Sequence, residues 1–195
     1  MLILAALLST AFAVPVQEGD IIFHTSRSAQ SEAIQLATAS PYSHVGIITF
    51  QNGKPMVYEA ISTVQATPLK EWIRRGEGGK YRLMRPIKAL NKKQLTAMNT
   101  VGRSHQQKRY DLLFEWSDDK MYCSELVWKI YKSGAKVELS SPRAMDSYHL
   151  GNPKVKQTIQ KRWGTNINWK EPMVAPSDLA DSTLLKVVVD TTKSQ

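Results

Sequence analysis

Three side chains in this sequence are of the types that together break an acyl bond: Cys123, His44 and Glu59. Cys123 is the chain's one cysteine, in Met121-Tyr122-Cys123-Ser124-Glu125-Leu126-Val127-Trp128. The apolar spacing there predicts a helix from about Cys123 to Lys132 that starts at the thiol, with Leu126, Val127, Ile130 and Tyr131 on its buried side. At a helix start, unpaired backbone N–H groups and the helix dipole stabilise a thiolate, and the same N–H groups can hold an oxyanion. An imidazole beside such a thiolate, oriented by a carboxylate, is the arrangement of thiol-based acyl transfer. Of the four histidines, His44 stands at the entry of an apolar strand, Tyr42-Ser43-His44-Val45-Gly46-Ile47-Ile48. His105 lies on an apolar helix face and reads as packing, while His24 and His149 sit in polar segments expected to be exposed.

A hairpin is what would bring Glu59 to His44. Asn52-Gly53 separates two apolar runs, Val45 to Phe50 and Met56 to Ala60, and Asn-Gly is the strongest short hairpin signal. A two-residue turn pairs Gln51 with Lys54, His44 with Ile61 and Gly46 with Glu59. His44 and Glu59 then become diagonal neighbours on one sheet face, about 7–8 Å apart at the backbone and within reach of long side chains. Gly46 leaves open the volume into which both can lean. A different turn length would slip the register and separate them. On the residues alone two readings stand: a catalytic set, or a structural strand pair plus a cysteine packed as a small hydrophobe.

The surrounding elements mix strands and helices. Asp20 to Phe23, Tyr81 to Arg85 and Leu184 to Val189 read as strands, and Ser28 as the cap of a helix reaching about Ala39. Thr67-Pro68 opens a short helix that Gly76 closes. Asn91 with Gln94 is a capping-box variant, after which Leu95, Met98, Gly102 and His105 share one face. Asn152-Pro153 opens a helix closed near Gly164. The first strand pair is a hairpin and no βαβ alternation runs through, so the fold class is α+β with a largely antiparallel sheet.

Composition excludes several alternatives. With 42% hydrophobic and 22% charged residues and only 10 Gly and 9 Pro in 195, the chain is neither disordered nor collagen-like. One cysteine rules out an intramolecular disulfide and a thiolate-rich zinc cluster. No Gly-rich phosphate loop, dinucleotide fingerprint or His-x-x-x-His pair occurs, so neither cofactor nor metal is expected. The net charge of +9 suits anionic surroundings and peripheral contact with anionic envelope surfaces. The Lys and Arg residues are not interleaved with aromatics in one stripe, which argues against nucleic acid. Met1 to Ala13 is an apolar run ending in Ala11-Phe12-Ala13, the pattern of a secretory cleavage site with Val14 as the mature start. It lacks the basic residues expected ahead of it, which points to a true start upstream, and a buried N-terminal strand is the competing reading. The expectation is a signal peptide over residues 1–13, one domain over 14–195, and a periplasmic or secreted protein. Oligomeric state is left open.

Four strings in order give the chain a resemblance. Gly19-Asp20-Ile21-Ile22-Phe23, Ser40-Pro41-Tyr42-Ser43-His44-Val45-Gly46, Tyr58-Glu59-Ala60 and Tyr122-Cys123-Ser124-Glu125-Leu126 resemble the YiiX/YebB-like family, circularly permuted papain-like hydrolases of the NlpC superfamily. The resemblance runs from about Gly19 to Leu179 and includes Tyr110-Asp111 and Val174-Ala175-Pro176-Ser177-Asp178-Leu179. It implies a permuted papain-like fold with the histidine ahead of the cysteine, as here. It further implies Cys123 as nucleophile, His44 as base, Glu59 as orienting acid, and Tyr110 and Tyr42 as residues lining the cleft. The activity it implies is a thiol amidase or peptidase, often on cell-wall peptides. Two alternatives are a lipid acyltransferase or hydrolase with the same triad, which a more apolar cleft would favour, and a non-catalytic module binding cell-wall or lipid ligands. Residues 136–170 carry no readable motif.

Overall fold

The Asn52-Gly53 turn closes as its residues dictate: both take positive φ, 51° and 73°, the mirror-image geometry that matches strand twist. It joins β2 (His44–Gln51) to β3 (Lys54–Ala60) with Gln51 opposite Lys54 and Ile47 opposite Tyr58, the register read from the sequence. Around this hairpin stand β1 (Ile21–His24), β4 (Val64–Pro68), β5 (Arg82–Pro86) and β8 (Leu185–Asp190). The sheet runs β4-β3-β2-β1-β5-β8, and every neighbouring pair is antiparallel. Two two-residue strands, β6 (Arg143–Ala144) and β7 (Pro172–Met173), form a separate ladder. The computed structural model describes residues 16–193, so the apolar leader and the Val14 start lie outside the described residues.

Helices cover both faces of the sheet, which is why β1 is a continuous apolar run rather than an alternating one. Ile21 and Phe23 enter the main core with Val45, Ile47 and Tyr58. There they meet Met98 of α3 (Lys92–Ser104) and Leu126 and Val127 of α4 (Cys123–Lys129). Ile22, Ile48, Val57 and Leu83 turn the other way, onto Trp72 of α2 (Leu69–Arg75). Burying each such side chain contributes about 1.5–3 kcal/mol. A third, separate cluster lies off the sheet. There Val155 and Ile159 of α5 (Pro153–Trp163) pack with Leu36 and Ala37 of α1 (Ser31–Thr38) and with Met145.

Element ends follow local chemistry, with three departures from expectation. The Asn91 box forms in full: its side chain takes the Gln94 N–H and Gln94 takes the Asn91 N–H, each at 3.0 Å. Asn152 caps α5 through the Lys154 N–H at 2.9 Å. Ser28, however, does not cap α1. The helix starts at Ser31, and Ser28 instead closes a turn by accepting the Ser31 N–H. Thr67 belongs to β4, and α2 begins only after Pro68. A proline that cannot donate to a ladder is tolerated at that position because β4 is an edge strand. The helix expected to reach Lys132 ends as α-helix at Lys129 and widens into a π-type turn over Ile130–Ala135. A short α6 (Pro176–Ala180) precedes β8.

Candidate active site

His44 opens β2 and Glu59 is the penultimate residue of β3, and the hairpin register brings them into direct contact. Nε2 of His44 lies 2.7 Å from Oε2 of Glu59. Gly46 lets the two strands close here: a Cβ there would stand 2.4 Å from Cγ1 of Val57 and 2.7 Å from the Tyr58 carbonyl. Glu59 is fully buried, and its other oxygen accepts from the Thr67 hydroxyl of β4 and from the Arg75 guanidinium at the end of α2. Burial alone would raise the Glu59 pKa. The hydrogen bond to His44, with Thr67 and Arg75 behind it, outweighs burial and holds the carboxyl below its ordinary value. Three donors for one buried charge is the condition under which such a charge is tolerated.

Cys123 is the first residue of α4, and its side chain is hydrogen-bonded to the same imidazole. Burial pushes the thiol up, but the hydrogen bond and positive charge of His44, aided by the N–H groups of Val45 and Ser124, bring it below the ordinary thiol value. Burial would likewise strip His44 of its proton, yet its bonds to Cys123 and Glu59 raise it to about 9. The two shifts run the same way, each group favouring the charged form of the other, toward a thiolate facing an imidazolium. Tyr110 adds a hydroxyl that touches the sulfur and accepts from Nε2 of Gln30 at 3.1 Å; burial first, and the thiolate second, keep it protonated. Behind Cys123, Glu125 is buried and takes the Tyr122 N–H at 3.2 Å, fixing the first turn of α4.

Two side chains are placed differently from expectation. His24 is buried, not exposed: it ends β1 directly opposite His44. Its ring stacks on Trp72 at 4.0 Å and 18° and lies 5.2 Å from the His44 ring. Burial, with positive His44 and Arg75 nearby, pushes its pKa down to about 2, so it presents a neutral surface to His44. Tyr42 does not line the cavities beside Cys123 and His44. It is a core residue, with its ring 5.6 Å from Phe23 and under the Arg82 guanidinium. Tyr110, by contrast, lines the cavity at Cys123. Of the other two histidines, His105 is buried as expected and His149 is exposed. Thr67, Arg75, His24 and Trp72 went unread in the sequence because each reaches the site through tertiary contact. The Arg74-Arg75-Gly76 helix end was the only local hint of a cation there.

Two spaces of opposite character meet at the pair. From Cys123 a narrow cavity of about 90 Å³ runs between α1 and α5, walled by Ala33, Ala37, Phe114, Val155, Ile159 and Trp163 with hardly a polar atom exposed. On the far side of His44 lies an open basin of about 610 Å³, lined by His24, Ser26, Arg27, Ser28, Arg74 and Arg75. Among the described residues no three His, Cys, Asp or Glu side chains gather to hold a metal ion.

Comparison with known proteins gives three matches in agreement. The model of a family described as permuted papain-like amidase, YaeF/YiiX, matches residues 15–189. The uncharacterized protein YiiX of Escherichia coli K12 is 42% identical over 189 residues, covering 96% of this chain and 94% of the relative. The crystal structure of the metalloprotein yiiX from Escherichia coli O157:H7 superposes with a TM-score of 0.87 at 42% identity, covering 89% of this chain and 97% of that one.

Proposed function

We propose that this chain, which belongs to the YaeF/YiiX family of permuted papain-like amidases, is a thiol amidase that acts on amides of apolar acyl groups. One observation carries the reading: a buried Cys123–His44–Glu59 relay opens on the thiol side into a cavity walled almost entirely by carbon. Such a lining suits an acyl chain and offers few partners for the polar stem of a cell-wall peptide. The Cys123 thiolate attacks the carbonyl carbon; the S–C bond forms, the C–N bond breaks, and the His44 proton passes to the leaving nitrogen. Water then gives a proton to His44 and its oxygen to the thioester carbon, releasing a carboxylic acid and restoring the thiolate–imidazolium pair. The Cys123 N–H and the Tyr110 hydroxyl are the oxyanion donors in this reading. Glu59, fixed by Thr67 and Arg75, orients His44 and offsets its charge.

The structural relative is a metalloprotein. The donors here do not fit a metal: His44 is committed to Glu59 and Cys123, His24 is stacked on Trp72, and among the described residues no third ligand joins them. No step above passes through a metal. Alkylation tests the thiol. Iodoacetamide should label Cys123 well below the free-thiol pKa of about 8.5, and His44→Ala should slow this labelling. N-lauroyl anilides should be hydrolysed faster than N-acetyl ones, and not at all by Cys123→Ala. Labelling that rises only near the free-thiol value, unaffected by His44→Ala, would return Cys123 to a packing role. The proposal includes export, on the strength of the apolar Met1–Ala13 segment. N-terminal sequencing should then read Val14, and an intact Met1 on a cytosolic product would overturn it.

A further inference from the structure

We infer that the basin beside His44 is the subsite for the amine half of the substrate, and that it selects amines carrying an anion, a carboxylate or a phosphate, a few bonds from the scissile nitrogen. The inference rests on the thiol-amidase reading for the direction of cleavage, since His44 must sit next to the nitrogen it protonates. Its own evidence is the composition of the walls. Arg27, Arg74 and Arg75 line the basin together with the hydroxyls of Ser26 and Ser28. A second opening along the same side, of about 330 Å³, is lined by Arg162 and Tyr110, which also border the apolar cavity. No Asp or Glu lines either space.

The four guanidinium groups are not equally occupied. Arg75 commits one arm to Glu59, and its side chain remains one-third exposed. Arg162 bonds to the Gln30 side-chain oxygen and the Leu112 carbonyl, neutral acceptors that leave its charge uncompensated. Arg27 and Arg74 are exposed at the rim and have no ion-pair partner among the described residues. The fork geometry of guanidinium matches the paired oxygens of a carboxylate or phosphate, and charge-assisted bonds of this kind are stronger than neutral ones. His24 adds no charge, because burial keeps it neutral, and contributes a flat wall stacked on Trp72. A cationic amine half would meet repulsion on every side and no acid to relieve it. The substrate thus divides into an apolar acyl tail on the Cys123 side and an anionic amine head on the His44 side.

Binding to Cys123→Ala tests this without requiring turnover. Calorimetry at low ionic strength would compare N-lauroylglycine, N-lauroyl-O-phosphoethanolamine, neutral N-lauroylethanolamine and cationic N-lauroylethylenediamine, which share one tail. At least one anionic ligand should bind tenfold or more tightly than the neutral one, and the cationic one should bind weakest. The order of the two anionic ligands tells an amino-acid carboxylate from a phosphate head group. Adding Arg27→Gln and Arg74→Gln together should bring the anionic-to-neutral ratio close to one, and half-molar salt should reduce it. Equal affinities, tighter cationic binding, no binding at all, or a preference that survives the double substitution would each overturn the inference. If the preference holds but the wild-type protein cleaves none of the four amides, the anion subsite stands and the thiol-amidase reading falls.

Discussion

The cavity between α1 and α5 and the basin beside α2 touch the same Cys123–His44 pair yet are built in different ways. The first is a gap between two packed clusters, the main core and the α1–α5 satellite, so its walls are the backs of core side chains. The second is framed by the ends of elements, β1 running into Ser26 and Ser28, and α2 running out at Arg74 and Arg75, where polar residues are the rule. Packing leftovers thus supply the apolar site and chain ends supply the charged one. The relay Cys123–His44–Glu59 is the seam between them, where buried polar groups satisfy one another.

The largest expected effect comes from disturbing that seam while sparing both walls. Glu59→Gln keeps the shape but removes the charge that supports the His44 imidazolium and leaves Arg75 without its partner. Turnover per folded molecule should fall about 10²-fold or more, though less than in Cys123→Ala. Leaving Arg75 unpaired should also cost about 1–3 kcal/mol of stability. Melting temperature and hydrolysis of an N-lauroyl anilide, read on the same samples, separate the roles. Early melting with normal activity per folded molecule would make Glu59 a structural strand residue.

Next in size is a change confined to the apolar side. Ala37→Phe places a ring in the cavity and should shorten the acyl chain that fits. Each methylene excluded forfeits about 0.8 kcal/mol, so losing two costs about 1.6 kcal/mol, a roughly fifteen-fold fall in kcat/KM for the longer chain. Short-chain amides should be spared. An equal loss across all chain lengths would mean that the tail does not enter between α1 and α5.

The smallest effect is a pH limb shared by both sides. His44 is held protonated to about 9, against an ordinary value of 6.5. A raised folded-state value means that the stability contributed by this proton is full below about pH 6.5 and is lost as pH rises through about 9. Hydrolysis should decline along the same limb, because the imidazolium that protonates the leaving nitrogen disappears. Anionic and neutral amides should give superimposable limbs, since His24 in the basin titrates only near 2. Limbs that differ between the two substrates would mean that a group in the basin titrates, contrary to the assignment.

How far the sequence could be read depended on the range of the interaction. The His44–Glu59 contact was legible because a two-residue turn fixes register over the whole hairpin, and register fixes which side chains share a face. Helix ends with side-chain caps, at Asn91 and Asn152, were legible for the same local reason. β4 was not, because Thr67-Pro68 reads as the opening of a helix, and Val64–Pro68 becomes a strand only by pairing with β3. With it went Thr67 as a partner of Glu59. His24 was read as exposed from its neighbours Thr25, Ser26 and Arg27, and its burial depends on Trp72, supplied from α2. Tyr42 was carried to the cleft by its place in the motif, whereas its ring is committed to Phe23 and Arg82.

The widened turn that ends the helix of Cys123 sets a limit on what this molecule can vary. Gly134 lies in it, pressed so closely on α3 that a Cβ would stand 2.6 Å from the Cα of Met98 and 2.7 Å from its nitrogen. That point is about 16 Å along the helix from Cys123, at 1.5 Å per residue. Here the obstruction is backbone, which cannot swing aside as a side chain can. Any larger residue would drive the two helices apart and displace the helix that carries the sulfur, however well the cavity and the basin were preserved. The walls can therefore vary without moving the sulfur, whereas the aim of Cys123 is set at the far end of its helix, by the absence of a single methyl group.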